Sequence, residues 1–515
     1  MKYVVTAAEM QSADQYTAEK LGLPSIVLME RAALAVADVI CQYDTTEHAE
    51  KKARKKGKVC IVCGNGNNGG DGLALGRILN ERGYFVHFFI VDDTQRISEA
   101  NRIQRDILKN MGMTVNTGQP VEEYDIIVDA IFGTGLHREV SGIYQEMIEV
   151  LNAADALKVA VDMPSGINSD DGSVLGCAFR ADLTVTFAFY KWGQLLYPGK
   201  ACCGKTICAD IGIPESALCE KIPYGRMLQP EDVEDYMPRR IADSHKGTYG
   251  KAGIIAGTEQ MGGAAILCSR AAMKMGVGYT KVMTERSNRE PVLAALPEAL
   301  LYLYENYQYP LDRLNDCDAI AVGPGIGTGR ESEGLLGATL DQYECPMVID
   351  ADGINILGQR TDLKAKLIQY AARVKEKGGT VVMTPHKKEF SRLTGIAMDA
   401  PAAEWHAQAL KTAAELNVVL VLKDAATRIY TPEGKVYVNT TGNPGMSTAG
   451  SGDVLTGIIC GLLTQMQDGV MAAVLGVYLH GLCGDHAALE GNPYSMTAND
   501  MVEALKYVLK RRDRR

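Results

Sequence analysis

Several features are scarce in this chain, and each scarcity closes off a class of function. No apolar run approaches the roughly 18 residues that a membrane-spanning helix needs, so no membrane partner is expected. The first residues, MKYVVTAAEMQSADQ, turn polar too early for a secretory leader. Positive charge is in deficit: 53 Lys and Arg against 63 Asp and Glu leave a formal net charge of −10. No overall field therefore draws the chain to nucleic acid. The one basic run, KKARKKGK at 51–58, stands alone without aromatics and reads as a solvated helix end or loop before a strand.

Cysteine pairing is also missing. The 13 Cys are odd in number and scattered. Cys60 and Cys63 form a CxxC only in letters, because Cys60 lies in the strand-like run KVCIVCG, where alternate side chains point to opposite faces. Cys202 and Cys203 are adjacent and cannot form an ordinary bridge. Inert thiols in a reducing cytoplasm are expected.

What is present is a soluble, glycine-rich α/β pattern. At 515 residues the chain exceeds one ordinary core, and two or more domains are expected. Met1 to Asp44 reads as helix, with Pro24 near the start of LPSIVLMERAALAVADVI. A buried strand then runs into GNGNNGGDG, Gly64 to Gly72, a helix and a second strand. The letters match GxGxxG, and Asp92 or Asp93 stands where a dinucleotide fold carries its ribose carboxylate. Asp71, however, sets a negative charge where a pyrophosphate would sit. Asn67 and Asn68 add side-chain carbonyls suited to a hard cation or an amide-bearing substrate.

Three strands of this half end in polar loops holding Asn68, Asp129, and Asp162 with Ser165. Each carboxylate alone reads as a turn or cap residue. Three such loops on the same edge of an open α/β sheet favour a site, since ligands bind at the carboxyl ends of the strands. Pro214, Pro223, Pro230 and Pro238 then punctuate a charged stretch. The expected organisation is a domain at 1–222, a linker at 223–242 and a domain at 243–515, both doubly wound. The first is Rossmann-like, a three-layer αβα sandwich.

The second half repeats the strand-loop-helix logic, with strands ending in GPGIG, DADGIN, TPHKKEF and KDAAT. Its densest stretch is NTTGNPGMSTAGSGDVLTG, Asn439 to Gly457. Small residues feeding a helix start make an anion site, because the first N–H groups lack partners and the helix dipole favours negative charge. Asp453 there is either a cap, stabilising by roughly 1 kcal/mol, or a base beside bound phosphate that the dipole keeps ionised. One Asp among so many glycines is more than a cap needs. His386 likewise reads either as a ligand to substrate or as a neutral cap, with Glu389 three residues on.

GNGNNGGDG, DAIFGTGL and VDMPSG resemble the NAD(P)H-hydrate epimerase family. HKGTYG, GPGIG, DADGIN, TPHKKEF and NPGMSTAGSGDVLTG resemble the NAD(P)H-hydrate dehydratase family, which has a ribokinase-like fold. In this order they resemble the bifunctional repair enzymes over nearly the whole chain. The resemblance implies epimerisation of R and S hydrates of NADH and NADPH (NADHX and NADPHX), then dehydration of the S form at the expense of ADP. It implies that Asn67, Asn68, Gly69, Gly70 and Asp71, with Gly133, Thr134, Gly135, Leu136, His137, Arg138, Glu139 and Asp162, meet the hydrate. Asn68, Asp129 and Ser165 would hold K+. In the second half Ala264, Gly325, His386 and Asp453 would face the hydrate. Lys423, Asp424, Ala425, Ala426, Thr427 and Gly452 would face ADP, which arrives with Mg2+.

Asp162 and Asp453 are the expected bases, and a homo-oligomer is expected. One departure stands out: the family reads KG where this chain has Lys423–Asp424, which sets a carboxylate near the expected phosphates. Two rivals remain at this point. The second half would share its GxGD loop with small-molecule kinases of vitamin precursors. The first could be a non-catalytic domain that binds a partner or RNA.

Overall fold

Short apolar strands alternate with helices in a computed structural model that describes residues 1–47, 57–91, 96–219 and 222–510. The candidate ribose carboxylates Asp92 and Asp93, and residues 51–56 of the basic run, lie outside the described residues. The chain divides into two units, Lys2–Tyr224 and a second from Gly225 onward.

The first unit holds β1 (Lys2–Val5), β2 (Lys58–Cys63), β3 (Phe85–Ile90), β4 (Val115–Thr117), β5 (Ile126–Ala130), β6 (Leu157–Val161), β7 (Leu183–Phe187), β8 (Tyr190–Lys191) and β9 (Lys205–Ala209). Seven of them form a parallel sheet in the order β4-β3-β2-β5-β6-β7-β9. Strand period decides the layers. Val59, Ile61 and Cys63 of β2 enter one core, while Cys60 and Val62 enter the opposite one. Chain direction across the sheet reverses between β2 and β5, and that crevice is the topological switch point where such sheets bind ligands.

The first residues are not the continuous helix that their composition suggests. Lys2–Val5 is a strand paired with β8, with Val4 and Val5 fully buried. Four residues are too few to show a period. The helix Ala7–Glu19 starts at a capping box, in which the Thr6 N–H donates to Glu9 Oε2 at 2.7 Å. Pro24 then precedes a second helix, Ser25–Glu47.

The second unit holds β10 (Gly225–Met227), β11 (Lys251–Ile255), β12 (Tyr279–Glu285), β13 (Leu300–Tyr304), β14 (Ala319–Val322), β15 (Met347–Ile349), β16 (Val381–Met383), β17 (Val419–Leu422), β18 (Arg428–Tyr430) and β19 (Val436–Val438). Their order is β13-β12-β11-β14-β15-β16-β17-β18-β19-β10. The run from β13 to β17 is parallel, with its switch point between β11 and β14. The helices Gly262–Lys274, Ser451–Leu463, Gly469–Glu490 and Ala498–Lys510 share one core on this sheet. The stretch 223–242 is therefore not a free connector. Gly225 and Arg226 pair with β19, and Leu228 and Val233 are buried in the second core, so its apolar residues serve that unit despite the prolines.

Candidate active sites

In the first unit the switch-point loop is set by backbone contact. A Cβ on Gly64 would meet Ile131 O at 2.2 Å, and one on Gly69 would meet Gly64 O at 1.9 Å. Only glycine permits either approach. Asn101 Nδ2 donates to Gly64 O at 3.0 Å and to Gly66 O at 2.9 Å, which pins the loop ahead of the helix Asn67–Glu81.

The segment 131–133 gathers the three oxygen donors expected around a cation. Ile131 N–H donates to Asp129 Oδ1 at 3.1 Å, and Phe132 N–H donates to Ser165 Oγ at 2.9 Å. Gly133 lies against Asn68: a Cβ on Gly133 would come within 3.3 Å of the Asn68 Cβ. Ser165 donates twice to Asp129, from N–H and from Oγ, each at 2.7 Å. Burial pushes the Asp129 carboxyl up to about 6, with these donors holding it back. Both amide atoms of Asn68 are buried without a hydrogen-bond partner. An orphaned amide oxygen beside a buried carboxylate is a donor set that a hard monovalent cation fits. Among the described residues, no group of three or more His, Cys, Asp or Glu is placed to hold a metal ion.

Asp162 sits just past β6 with φ +64°, in the left-handed region. Its Oδ1 accepts from Lys191 Nζ at 2.7 Å and Thr186 Oγ1 at 2.9 Å. Asp71 lies in the same neighbourhood: burial, then Asp162 and Asp14, raise its carboxyl well above the usual range. The loop expected to meet substrate is mixed. Thr134 O accepts from Ser169 Oγ at 3.2 Å, and Leu136 turns into the core, whereas Gly135, His137, Arg138 and Glu139 are exposed.

In the second unit Ala264 and Gly325 meet across the switch point. A Cβ on Gly325, which has φ +61°, would lie 3.0 Å from that of Ala264. The helix Ser451–Leu463 begins after Gly450 at φ +86°, and Asp453 lies in its first turn. Burial, then Asp350, push the Asp453 carboxyl up to about 7, with Lys423 opposing and Asp352 adding to the rise. The reading of Asp453 as a base kept ionised by the helix dipole thus meets two effects in the opposite direction, desolvation and a neighbouring carboxylate.

Lys423 does not simply extend toward a nucleotide. Its Nζ donates to Asp350 Oδ1 at 2.8 Å and lies 3.9 Å from Glu389 Oε2. Burial pulls its ammonium down, but Asp350 and Glu389 outweigh that and hold it above the usual lysine value. A Cβ on Gly452 would come within 3.3 Å of this Nζ, so the ammonium stands at the start of the helix Ser451–Leu463.

His386 takes the capping role. Its Nδ1 accepts from Lys388 N at 3.1 Å and Glu389 N at 3.2 Å, while its own N–H donates to Glu389 Oε2 at 2.8 Å. Burial, then Lys423, lower its pKa, so the ring is neutral and Nε2 carries the proton. Asp424 needs no glycine: its φ is not positive, its Oδ1 accepts from Ala425 N at 2.9 Å, and its Oδ2 pairs with Lys387 at 2.7 Å. The side chain is exposed, as is Ala425; Ala426 is buried, and Thr427 Oγ1 donates to Asp424 O at 3.0 Å.

Sequence reasoning missed three participants. Asp350 accepts from Lys423 and, on Oδ2, from Thr456 at 2.7 Å. Lys191 meets Asp162, and Asn101 holds the first loop. Asp350 opens DADGIN after β15, so its strand-end position was a readable signal. Lys191 and Asn101 carried none, since their partners lie far along the chain.

Comparison with known proteins agrees across the whole length. Residues 252–507 match the family described as NAD(P)H-hydrate dehydratase, and residues 25–193 match the one described as YjeF-related protein N-terminus. A bifunctional NAD(P)H-hydrate repair enzyme of Moorella thermoacetica is 36% identical, covering 99% of this chain and 97% of its own. One of Thermofilum pendens is 35% identical, over 98% and 96%. The solved ADP/ATP-dependent NAD(P)H-hydrate dehydratase of Bacillus subtilis, co-crystallised with ATP/Mg2+, is 32% identical. It covers 55% of this chain and 98% of its own, with a TM-score of 0.47.

Proposed function

The chain belongs to the family of bifunctional NAD(P)H-hydrate repair enzymes, and from that premise we propose that its two units act in succession on damaged nicotinamide cofactors. The first interconverts the R and S hydrates. The second dehydrates the S form, consuming ADP and giving AMP and phosphate. The observation that carries this reading is Asp453, a carboxylate poised near neutrality in the first turn of an anion-binding helix, with the Lys423 ammonium beside it.

In the second unit Asp453 takes the proton from the hydrate hydroxyl as that oxygen attacks the terminal phosphorus of ADP. A base with a pKa near 7 is half ionised at working pH and still strong enough to accept the proton. AMP leaves; the phosphorylated oxygen then departs as phosphate while the adjacent ring carbon gives up a proton to solvent, which restores the double bond of the dihydronicotinamide ring. The N–H groups at the start of the helix Ser451–Leu463 hold the transferring phosphoryl oxygens. Asp350, Glu389 and Asp453 act on Lys423, and Asp352 acts on Asp453 and Glu389, so carboxyls outnumber the one ammonium there. Mg2+ fits that imbalance, and when bound it neutralises charge on the phosphates. His386, whose ring is exposed and whose Nε2 lies 3.3 Å from Glu389 Oε1, would face the hydrate.

In the first unit Asp162 is the base that starts opening or deprotonation of the hydrated ring. Asn67, Asn68 and Asp71, in the first turns of the helix Asn67–Glu81, would meet the substrate from that helix. K+ held by Asn68, Asp129 and Ser165 would supply fixed positive charge next to a substrate that carries phosphates.

The test is to incubate mixed hydrates with the full chain and either ADP or ATP, and to follow recovery of reduced-cofactor absorbance. Complete recovery with ADP supports both activities. Recovery of the S fraction alone, with the remainder lagging at the spontaneous rate, would show that the first unit does not epimerise. A phosphorylated alcohol accumulating without recovered absorbance would instead mark a kinase.

A further inference from the structure

Lys191 stands out as a lysine that burial should disfavour. It is 1% exposed, and the chemistry above makes no use of it. Its ammonium is fully committed. Nζ donates to Asp162 Oδ1 at 2.7 Å, to Thr186 Oγ1 at 2.8 Å and to Phe187 O at 3.1 Å. Three N–H bonds meet three acceptors, so none remains for a ligand. Thr186, having accepted from Lys191, donates its own hydroxyl to Asp162 Oδ1 at 2.9 Å, which closes a triangle around one carboxylate oxygen.

A second bridge fastens the same two residues by their backbones. Gln194 Oε1 accepts from Lys191 N–H at 2.9 Å, and Gln194 Nε2 donates to Asp162 O at 2.7 Å. Asp162 N–H donates to Val185 O at 2.8 Å. Asp162 therefore keeps a φ of +64°, rarely adopted by residues with a side chain, because its amide, carbonyl and Oδ1 are each held. Among the described residues no hydrogen bond engages Oδ2.

We infer that Lys191 is the positioning residue for Asp162 in epimerisation: with Thr186 and Gln194 it ties Oδ1, balances the carboxylate charge and presents Oδ2 to the substrate. This rests on Asp162 being the base. The electrostatic surroundings show why a cation is needed. The titratable groups facing this pair are Asp71 on the helix Asn67–Glu81, Asp14 on the helix Ala7–Glu19 and Cys208 on β9, with Lys2 and Asp210 beside Cys208. Without the ammonium, Asp162 would share the crevice with two further carboxyls and lose the cation that its Oδ1 contacts.

Interconversion of R and S hydrates, resolved chromatographically without nucleotide so that the second unit is silent, tests this on the full chain. Lys191→Met should lower kcat by about 100-fold with KM little changed. Lys191→Arg, which keeps the charge and can still donate, should recover about tenfold of that loss. ADP-dependent dehydration of the S form should be unchanged in both. An original kcat in Lys191→Met, with Asp162→Asn inactive, would overturn the role of Lys191 alone. Retained epimerisation in Asp162→Asn would overturn the assignment of the base, and this inference with it. If Lys191→Met does not fold, Thr186→Val decides: kcat about tenfold lower at constant KM supports the inference, and an unaltered kcat overturns it.

Discussion

Lys423 Nζ and Asp350 Oδ1 stand 2.8 Å apart, and this pair sets the electrostatics around Asp453 from opposite directions. Asp350 is 1% exposed and is also held by Thr456, so its charge is fixed in place. A buried pair of this kind is weak evidence for stability, since desolvation offsets the attraction. Its value here is chemical, because it tunes a third group.

Asp350→Asn removes a carboxylate that raises the Asp453 pKa, so the acidic limb of the dehydration rate should move down by about half to one pH unit. Lys423→Met removes the opposing cation and should move the limb up by a similar amount. Dehydration rates from pH 5 to 9 at saturating nucleotide measure both, and shifts in the same direction would sink the account.

Asp453→Asn should abolish dehydration, by about 100-fold to 10,000-fold, while leaving epimerisation untouched. Stability should change oppositely. The folded pKa of about 7 lies above the usual 3.8, so the native state holds this proton more tightly than the unfolded chain does. Stability from the group is therefore present below about 4 and is lost as pH rises through 7. The Asn variant does not titrate, and at pH 8 it should melt at a higher temperature than the parent. An equal or lower Tm at pH 8 would contradict the desolvation described for this carboxyl.

His386 caps the helix Lys387–Thr394 through Nδ1 while Nε2 lies 3.3 Å from Glu389 Oε1, so the exposed ring, not a free N–H, is what the hydrate would meet. Asn can keep the cap but not reach as the ring does. Thermal melts should show His386→Ala losing about 1 kcal/mol and His386→Asn only a few tenths. The Asn variant should still raise KM for the hydrate several-fold. An unchanged KM would leave His386 as a cap and nothing more.

Asp424, which replaces the family's glycine, faces solvent and pairs with Lys387 at 2.7 Å. Exposed ion pairs contribute about 0–1 kcal/mol. Asp424→Gly should therefore leave KM for ADP within about twofold and stability within about 1 kcal/mol. A large gain in ADP affinity would mean that this carboxylate repels bound phosphates after all.

How much of the site was legible depends on the range of the interaction that makes it. The polar ends of β2, β5 and β6 could be read because strand, glycine loop and helix start are consecutive in the chain. Asp453 could be read for the same reason, as a carboxylate in the first turn of a glycine-led helix. The opening residues could not, because Lys2–Val5 is a strand only through pairing with Tyr190 and Lys191.

By itself the sequence determined the α/β order, the two-unit plan and the loops that carry the chemistry, all of which rest on local periodicity and glycine's backbone freedom. Tertiary structure alone decided which charges meet. Asp162 finds Lys191 from 29 residues away, and Asp350 finds Lys423 from 73. Those meetings, made in desolvated surroundings where a single charge shifts its neighbours' protonation, decide that Asp453 is poised near neutrality instead of being held ionised by the helix dipole.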